Sequence, residues 1–465
     1  MRTDTPGSLS QSRVWELQRA YYEREATEAF AQVPHQIVDN PYVARAFARV
    51  VAGFVRDCAR GGLDPAQPLY VVELGAGAGR FAHGCVRELG ERLAALPLEL
   101  PELVYVMTDL GEATLDEWAA NPALDDARLD FARFDATAGM PLELRRRGVV
   151  LERSANPMVL IANYVFDSLP ADAFAATGDG LAELLVSVEG DDVESMRLSY
   201  TRDPVRPGHY GDADLDALLD HYAERLRDTV FTLPRAALES VRRARALAGG
   251  RLLVLSADKA FSTEAALHHR REPEVSRHGG SFSLMVNFHA LGHYARETGG
   301  EAWNGGDRHE AVDVLALAFG AAPDGHAETG LAYAEAIDAF SPDDLFQLAE
   351  GAERAAAELS VAEIVALLRL SHWDAFTLLG VTEALVEKVR DVDAAVQEDL
   401  REALFAIYDR HYAVPGDEDL PFAIGRLMYE MGDYEDALDF FEDSIQQYGP
   451  HPATEHNIRL CEEQL

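Results

Sequence analysis

Lysine is nearly missing from this 465-residue chain, where Lys259 and Lys388 are the only two. Lys and Arg together number 41 against 80 Asp and Glu, for a formal charge of −39. A field of that sign repels phosphate backbones, which excludes a nucleic-acid substrate and favours a basic protein or peptide. Most of the acids read as solvated surface. Cysteine is scarce as well: Cys58, Cys85 and Cys461 form neither a C-x-x-C pair nor a disulfide framework, which argues against a structural zinc site. No apolar run approaches membrane-spanning length, and Met1 to Ser8 lack a secretory apolar region, so a cytoplasmic protein with no membrane partner is expected. Neither a Gly-x-Ser-x-Gly elbow nor a phosphate loop ending in Gly-Lys-Ser/Thr occurs, and the hydrolase and ATPase readings fall away. His289 and His293 stand four apart, the spacing of a paired metal ligand, but no third ligand lies near them in sequence. His309-Glu310 lacks the second histidine of a zinc-protease helix, and His268-His269 reads as solvated surface. No metal is expected.

What is present is concentrated in Val71-Val72-Glu73-Leu74-Gly75-Ala76-Gly77-Ala78-Gly79-Arg80. An apolar run ending in an acid, then a glycine at every second position, describes a strand feeding a turn whose bare main chain leaves room for a ligand. Phe81, Cys85, Leu89 and Leu93 then recur at every fourth position, as on the buried stripe of a helix. A dinucleotide fold wants glycine at the sixth position of its motif, where Arg80 stands here. The Glu-x-Gly-x-Gly-x-Gly pattern instead resembles the first motif of class I S-adenosylmethionine-dependent methyltransferases. That resemblance assigns Glu73, Gly75, Ala76, Gly77 and Gly79 to the methionine and ribose portions of S-adenosylmethionine.

Supporting residues follow in order. Leu103 to Asp109 reads as a second strand ending in an acid, and a carboxylate there suits both ribose hydroxyls. Leu129 to Ala136 is a strand-like run with Asp135 near its end, which the resemblance places, with Ala136, at the adenine amino group. Either acid also suits the ordinary role of a strand-end or turn residue. Met158 to Ala162 is an apolar strand opening into Asn163-Tyr164-Val165-Phe166-Asp167-Ser168-Leu169-Pro170, a polar, aromatic and Pro-bounded loop where a rigid sheet presents reactive groups.

That loop resembles the MidA family of methyltransferases, which includes complex I assembly factors that methylate arginine on a partner protein. Asn163, Phe166, Asp167, Leu169 and Pro170 fit the family pattern, while Tyr164 stands where the family has Glu. The segment from Ser281 to Ala295 resembles a second family stretch, a strand running into a helix, with Asn287 in place of Asp and able to cap that helix. Gly249-Gly250 followed by Arg251 to Ser256 matches the fifth strand of the fold, with Ala257-Asp258-Lys259 replacing the family's glycine-containing tail. Position in this loop suits Asn163 to orient an acceptor nitrogen through its side-chain oxygen, Tyr164 to pack against or hydrogen-bond it, and Asp167 to take its proton or pair with its charge, unless Asp167 instead caps the following turn; Asn163 is also a candidate contact of the cofactor.

The expected architecture is α/β: a Rossmann-like methyltransferase sheet at 65–325 preceded by a helical segment at 1–64 and followed by an all-α domain at 326–465. The N-terminal helices, interrupted at Pro34, either close the pocket or bury a sheet edge. A predominantly helical insertion is expected at about 205–249, preceded by a mobile loop from Arg202 to Gly208. Gly425, Gly432, Tyr434, Ala437 and Phe441 resemble a tetratricopeptide (TPR) repeat of about 34 residues, whose arrays bind peptides or partner proteins. The chain therefore reads as an S-adenosylmethionine-dependent methyltransferase acting on a protein or peptide nitrogen. The alternatives are a non-catalytic scaffold or assembly factor of the same fold, and a small-molecule methyltransferase.

Overall fold

The computed structural model describes residues 5–25, 36–139, 141–306, 308, 311–320, 325–414 and 416–465. Pro34 and the His309-Glu310 pair lie outside them. The chain divides into two compact units, one of Met1–Val38 and Arg45–Asp343, the other of Asp39–Ala44 and Asp344–Leu465.

The helices begin with α1 (Arg13–Glu25), α2 (Pro41–Ala59), α3 (Arg80–Ala94) and α4 (Glu112–Ala120). Strands β1 (Leu69–Glu73), β2 (Leu103–Asp109) and β3 (Leu129–Arg133) alternate with them, then a hairpin of β4 (Leu142–Leu144) and β5 (Val149–Leu151) leads to β6 (Met158–Ile161). An inserted region carries β7 (Asp172–Thr177), β8 (Gly180–Glu189), β9 (Arg197–Pro204), α5 (Ala213–Arg225) and β10 (Thr229–Leu233). After α6 (Arg235–Leu247) come β11 (Leu252–Asp258), β12 (Ala260–Phe261), β13 (Val275–His278), β14 (Ser281–Leu284) and β15 (Val286–Asn287). The unit finishes with α7 (Phe288–Glu297), β16 (Glu301–Trp303), β17 (Asp313–Phe319) and α8 (Ala327–Tyr333).

Seven strands form the central sheet in the order β16-β17-β11-β6-β1-β2-β3. β3, β2, β1, β6 and β11 run parallel, and β17 enters antiparallel to β11. Every residue of β1, β2, β6, β11 and β17 is buried, as expected of strands covered on both faces. The chain moves outward from β1 through β2 to β3, then returns to β6 on the other side of β1. That reversal opens a crevice at the carboxyl ends of β1 and β6, where open α/β sheets receive ligands. The stripe expected on α3 is buried, Phe81, Cys85, Leu89 and Leu93 included.

The stretch expected to be helical, about 205–249, carries α5 and α6 with β10 between them, and the strands of the inserted region lie mostly before it. β10, β7, β8 and β9 make a separate antiparallel sheet in that order, and α5 is the helix within it. β10 has five residues, Thr229-Val230-Phe231-Thr232-Leu233, all buried, and is too short to show a period against the helical stretches around it. The expected loop at Arg202 to Gly208 is strand as far as Pro204. β9 is an edge strand, which tolerates a terminal proline paired with Ala182. Leu184, Val186 and Val188 on one face of β8 share a core with Leu9, Val14 and Trp15 of the N-terminal segment.

The first unit continues past residue 325, the boundary expected from sequence, because buried Asp57 accepts hydrogen bonds from the Glu328 and Thr329 amides and the Thr329 hydroxyl. The Tyr333 hydroxyl adds a bond to the Val314 carbonyl.

The second unit is helical throughout its described residues: α9 (Pro342–Arg354), α10 (Val361–Leu370), α11 (Ala375–Lys388), α12 (Ala394–Arg410), α13 (Leu420–Met431), α14 (Tyr434–Tyr448) and α15 (Pro452–Glu462). α13 ends on Gly432 at φ +86, a left-handed cap that reverses the chain into α14. Asp419 caps α13 through the Phe422 amide at 2.9 Å and accepts from the Ser444 hydroxyl of α14 at 2.6 Å. The two helices approach closely at Gly425, where a Cβ would lie 2.8 Å from Cε1 of Phe441. Replacing Gly425 by valine forces that ring to move, and overpacking of this kind costs about 1–3 kcal/mol. Urea denaturation of the full chain followed by circular dichroism is expected to show a lowered midpoint for Gly425→Val, and an unchanged midpoint refutes the tight crossing.

Candidate active site

The turn after β1 is built from left-handed glycines, with φ +58 at Gly75, +58 at Gly77 and +92 at Gly79, conformations that other residues adopt only with strain. Gly79 is the N-cap of α3. A Cβ at Gly75 would meet Cγ2 of Val165 at 3.1 Å, so glycine is also what lets the turn and the loop after β6 lie side by side. Neighbouring strands and helices hold the turn from behind. The Ala76 amide donates to the Thr108 carbonyl at 3.0 Å, the Thr108 hydroxyl to the Glu73 carbonyl at 2.7 Å, and Trp118 Nε1 to the Gly77 carbonyl at 2.9 Å. The Glu73 side chain is buried and accepts from the Tyr105 hydroxyl at 2.9 Å.

A cleft of about 290 Å³ opens over this turn. Gly75, Asp109, Asp135, Ala136 and Tyr164 border it, together with Thr108, Phe134 and Val165. Of the other residues expected in the site, Glu73, Ala76, Gly77 and Gly79 form the turn and its support, Asn163 stands beside it, and Asp167 borders a smaller pocket. Asp109 ends β2, and its Oδ1 accepts from the Gly111 amide at 3.2 Å. Burial pushes its carboxyl up to about 6, against the lowering effect of the Gly111 and Leu110 amides. Asp135 is different. Burial raises its carboxyl, but the Thr137 hydroxyl and amide and the Arg19 guanidinium outweigh that and hold it below the usual range. Its Oδ1 is taken by Thr137 and its Oδ2 by Arg19.

Arg19 comes from α1, which also brings Trp15, Gln18 and Tyr22 to the cleft. Of the two readings of the N-terminal helices, pocket closure describes α1. Gln18 Nε2 donates to the Phe282 carbonyl at 2.7 Å, and the Trp15 and Phe282 rings lie 5.0 Å apart, which fastens this helix to β14.

The loop after β6 carries a concentrated set of polar groups. Asn163 Oδ1 accepts from the Ala257 amide at 3.1 Å, which anchors the side chain and leaves the oxygen a second lone pair. Asn163 Nδ2 is buried and has no hydrogen-bond partner among the described residues. Tyr164 sits at φ +51, left-handed for a bulky residue, and its amide donates to the Ala257 carbonyl at 2.9 Å. Such strain persists only where the surroundings impose it. Burial, then Asp258 and Asp167, push its phenol well up.

Asp167 and Asp258 are buried side by side. The Asp167 amide donates to Asp258 Oδ2 at 3.1 Å, the Ser168 hydroxyl to Asp167 Oδ1 at 2.9 Å, and the Lys259 amide to Asp258 Oδ1 at 2.9 Å. Burial pushes the Asp167 carboxyl up to about 6, while hydrogen bonds from Ser168, Asp258 and Ser283 and the Lys259 charge restrain it. Burial, then the Asp167 charge, drives Asp258 well above the ordinary range. Adjacent carboxylates that cannot both ionise share a proton, and the pair titrates as a unit. Tyr164, Asp167, Lys259, His278 and Ser283 line the smaller pocket of about 30 Å³, which shares Tyr22, Tyr164 and Ser168 with the cleft.

Sequence reasoning missed Arg19, Trp118 and Asp258 as parts of this site. Asp258 carried a readable signal, an acid at the end of a buried strand, as Asp109 does. Arg19 and Trp118 carried none.

A family model described as “Putative S-adenosyl-L-methionine-dependent methyltransferase” matches residues 51–302, from within α2 to β16. No curated protein matches the chain. Similar solved structures include an uncharacterized protein from Burkholderia thailandensis, at 18% identity over 67% of this chain and 87% of that one, with a TM-score of 0.43. A member of the same superfamily from that organism, bound to S-adenosyl-homocysteine, is 17% identical over 68% of this chain and 95% of that one, with a TM-score of 0.41. The DhpI complex with S-adenosyl-homocysteine is 11% identical over 66% of this chain and 97% of that one, with a TM-score of 0.30. The matched family accounts for more than half of the sequence, and the chain belongs to it: it is an S-adenosylmethionine-dependent methyltransferase.

Proposed function

We propose that this methyltransferase methylates a nitrogen of a protein or peptide, with arginine the first candidate, and that the Asp167–Asp258 pair receives the proton the acceptor gives up. The observation that carries the reading is Asp167, which borders the small pocket that shares residues with the cleft and lies against buried Asp258; burial raises its carboxyl to about 6 and that of Asp258 well above the ordinary range. A general base works best with a pKa close to the working pH. The formal charge of −39 adds attraction for a basic partner.

When bound, S-adenosylmethionine supplies a methyl group already activated by the positive charge on sulfur. The chain's own residues then have to hold, orient and desolvate. Gly75, Ala76, Gly77 and Gly79 offer bare main chain to the methionine and ribose portions, and Glu73 keeps that turn in place from beneath. Asp109 would accept from the ribose hydroxyls. Ala136 and Asp135 would border the adenine, with Asp135 holding Arg19 and Thr137 beside it. Asn163 contributes its free Nδ2 to the cofactor or acceptor, and Tyr164 packs against the acceptor at the junction of the two pockets. The carboxylate of Asp167 would take the proton that the acceptor nitrogen gives up on methylation. The C-terminal helical unit, with its TPR-like hairpin, serves as a binding surface for the protein partner.

Lys259 supports a second reading. A cation lining the smaller pocket suits an anionic small molecule as acceptor. Incubation with isotopically labelled cofactor and extract, followed by mass spectrometry, separates the two. Label on a protein nitrogen is the expected result, and label confined to a metabolite overturns the protein reading.

Two further outcomes follow from the site. The bound ribose favours the ionised form of Asp109, so binding displaces a proton and affinity falls as pH drops through about 6. Calorimetric titration between pH 7 and 5 is expected to show that loss in the wild type and to show it flattened in Asp109→Asn, whose affinity at pH 7 drops roughly tenfold, the factor for about 1.4 kcal/mol. Asp167→Asn is expected to leave cofactor affinity unchanged and to lower turnover by about 10²-fold, the lower end for loss of a general base. Single-turnover assays on the identified acceptor check this, and full activity of the variant removes Asp167 from the chemistry.

A further inference from the structure

Away from the cleft, the fold assembles a group of imidazoles that the methyl-transfer chemistry does not use. His221 lies on α5, His289 and His293 stand one turn apart on α7, and Glu264 comes from the turn after β12. One ligand atom from each of His221, Glu264 and His289 lies within 4.8 Å of the other two. The His221 ring is 4.1 Å from that of His293 and 5.8 Å from that of His289, centre to centre. From sequence the i, i+4 histidines lacked a third ligand. Packing of α5 against α7 supplies it, with a carboxylate as well.

The free nitrogens make the arrangement informative. His221 Nε2 is buried, makes no hydrogen bond among the described residues, and lies 3.5 Å from Glu264 Oε2. His289 Nδ1 is paired with the Tyr222 hydroxyl at 2.9 Å, and that hydroxyl also bonds the Asn287 side chain at 3.2–3.3 Å. Asn287 is itself fixed, through the Ala290 amide at 2.9 Å and the Thr232 carbonyl at 2.9 Å. A chain of bonds thus sets the His289 ring and leaves its Nε2 open. Metal-binding histidines are held in this way, by a partner on the other ring nitrogen. Arg225 approaches Glu264 Oε2 at 3.5 Å from a side chain that is 56% exposed, free to swing away if a metal takes that oxygen.

We propose that His221, His289 and Glu264, with His293 beside them, bind one divalent metal ion of the zinc class and so tie α5 of the insertion to α7. Two or three imidazole nitrogens and one carboxylate oxygen make a donor set suited to zinc, and less suited to calcium or magnesium, which take oxygen. The site is independent of which acceptor the enzyme uses.

The test uses the full chain without an affinity tag. After treatment with a chelator, zinc is titrated against a chromophoric competitor, and cobalt is added separately to read its visible spectrum. One zinc per chain is expected, with intense cobalt bands of a four-coordinate site and a raised melting temperature in the metal-loaded protein. His221→Ala and His289→Ala lower zinc affinity by at least tenfold, and Tyr222→Phe lowers it by about tenfold through its support of His289. Should an alanine variant fail to fold, Glu264→Gln, at a partly exposed position, gives the same reading: weakened binding supports the site. Absence of stoichiometric zinc binding overturns the proposal, as does binding that neither His221→Ala nor Glu264→Gln weakens.

Discussion

A turn of three left-handed glycines, pinned by hydrogen bonds from its neighbours, is the constraint on which the active end of this protein depends. Glycine alone leaves the turn free to adopt many shapes. The Trp118 bond to the Gly77 carbonyl and the Ala76 bond to the Thr108 carbonyl select one of them. The register of β1 then carries that choice outward, since Glu73 pairs with Met107 on one side and Ile161 on the other. The acid closing β2 and the loop leaving β6 therefore arrive at the same height as the glycines. A ligand resting on the turn meets both without any further adjustment of the sheet.

Charge in this molecule acts at two scales. Over the whole surface the acids make a diffuse negative field, which affects encounter and solubility but distinguishes no position. At the carboxyl ends of the strands a few acids are withdrawn from water, and burial makes each of them consequential. Asp109 and Asp167 are both held near 6, within reach of physiological protonation. Asp258 is pushed further because it shares its surroundings with Asp167. Asp135, tied to Arg19 and Thr137, stays ionised. Acids that look alike in the sequence are thus separated into different chemical roles by what encloses them.

Much of the fold was readable because its signals are local. Buried parallel strands show as apolar runs, the glycine turn as a strict alternation, and α3 as a stripe at helical spacing. Asn287 was legible as a helix cap and does accept from the Ala290 amide. The second sheet was less legible: β10 is too short to display a period, and β9 is an edge strand whose inward side chains, Leu198 and Tyr200, are only partly buried. In the candidate site, Asp109 and the Asn163–Asp167 loop stood out as strand-end polar groups. The bond from the Ala257 amide to Asn163 Oδ1 could not be seen, because it depends on β11 lying beside β6.

By itself the sequence determined the central sheet, its ligand-binding turn and the kind of cofactor that turn accepts, since backbone freedom at glycine and burial of apolar runs act between near neighbours. Tertiary structure alone decided that α1 closes the cleft with Arg19, that Asp167 and Asp258 share one buried space, and that His221 meets His289. Each of these joins residues far apart along the chain, and nothing in their local sequence sets the distance between them. That distance comes from the packing of helices and strands, and with it come the protonation states and free nitrogens that give the residues their chemistry.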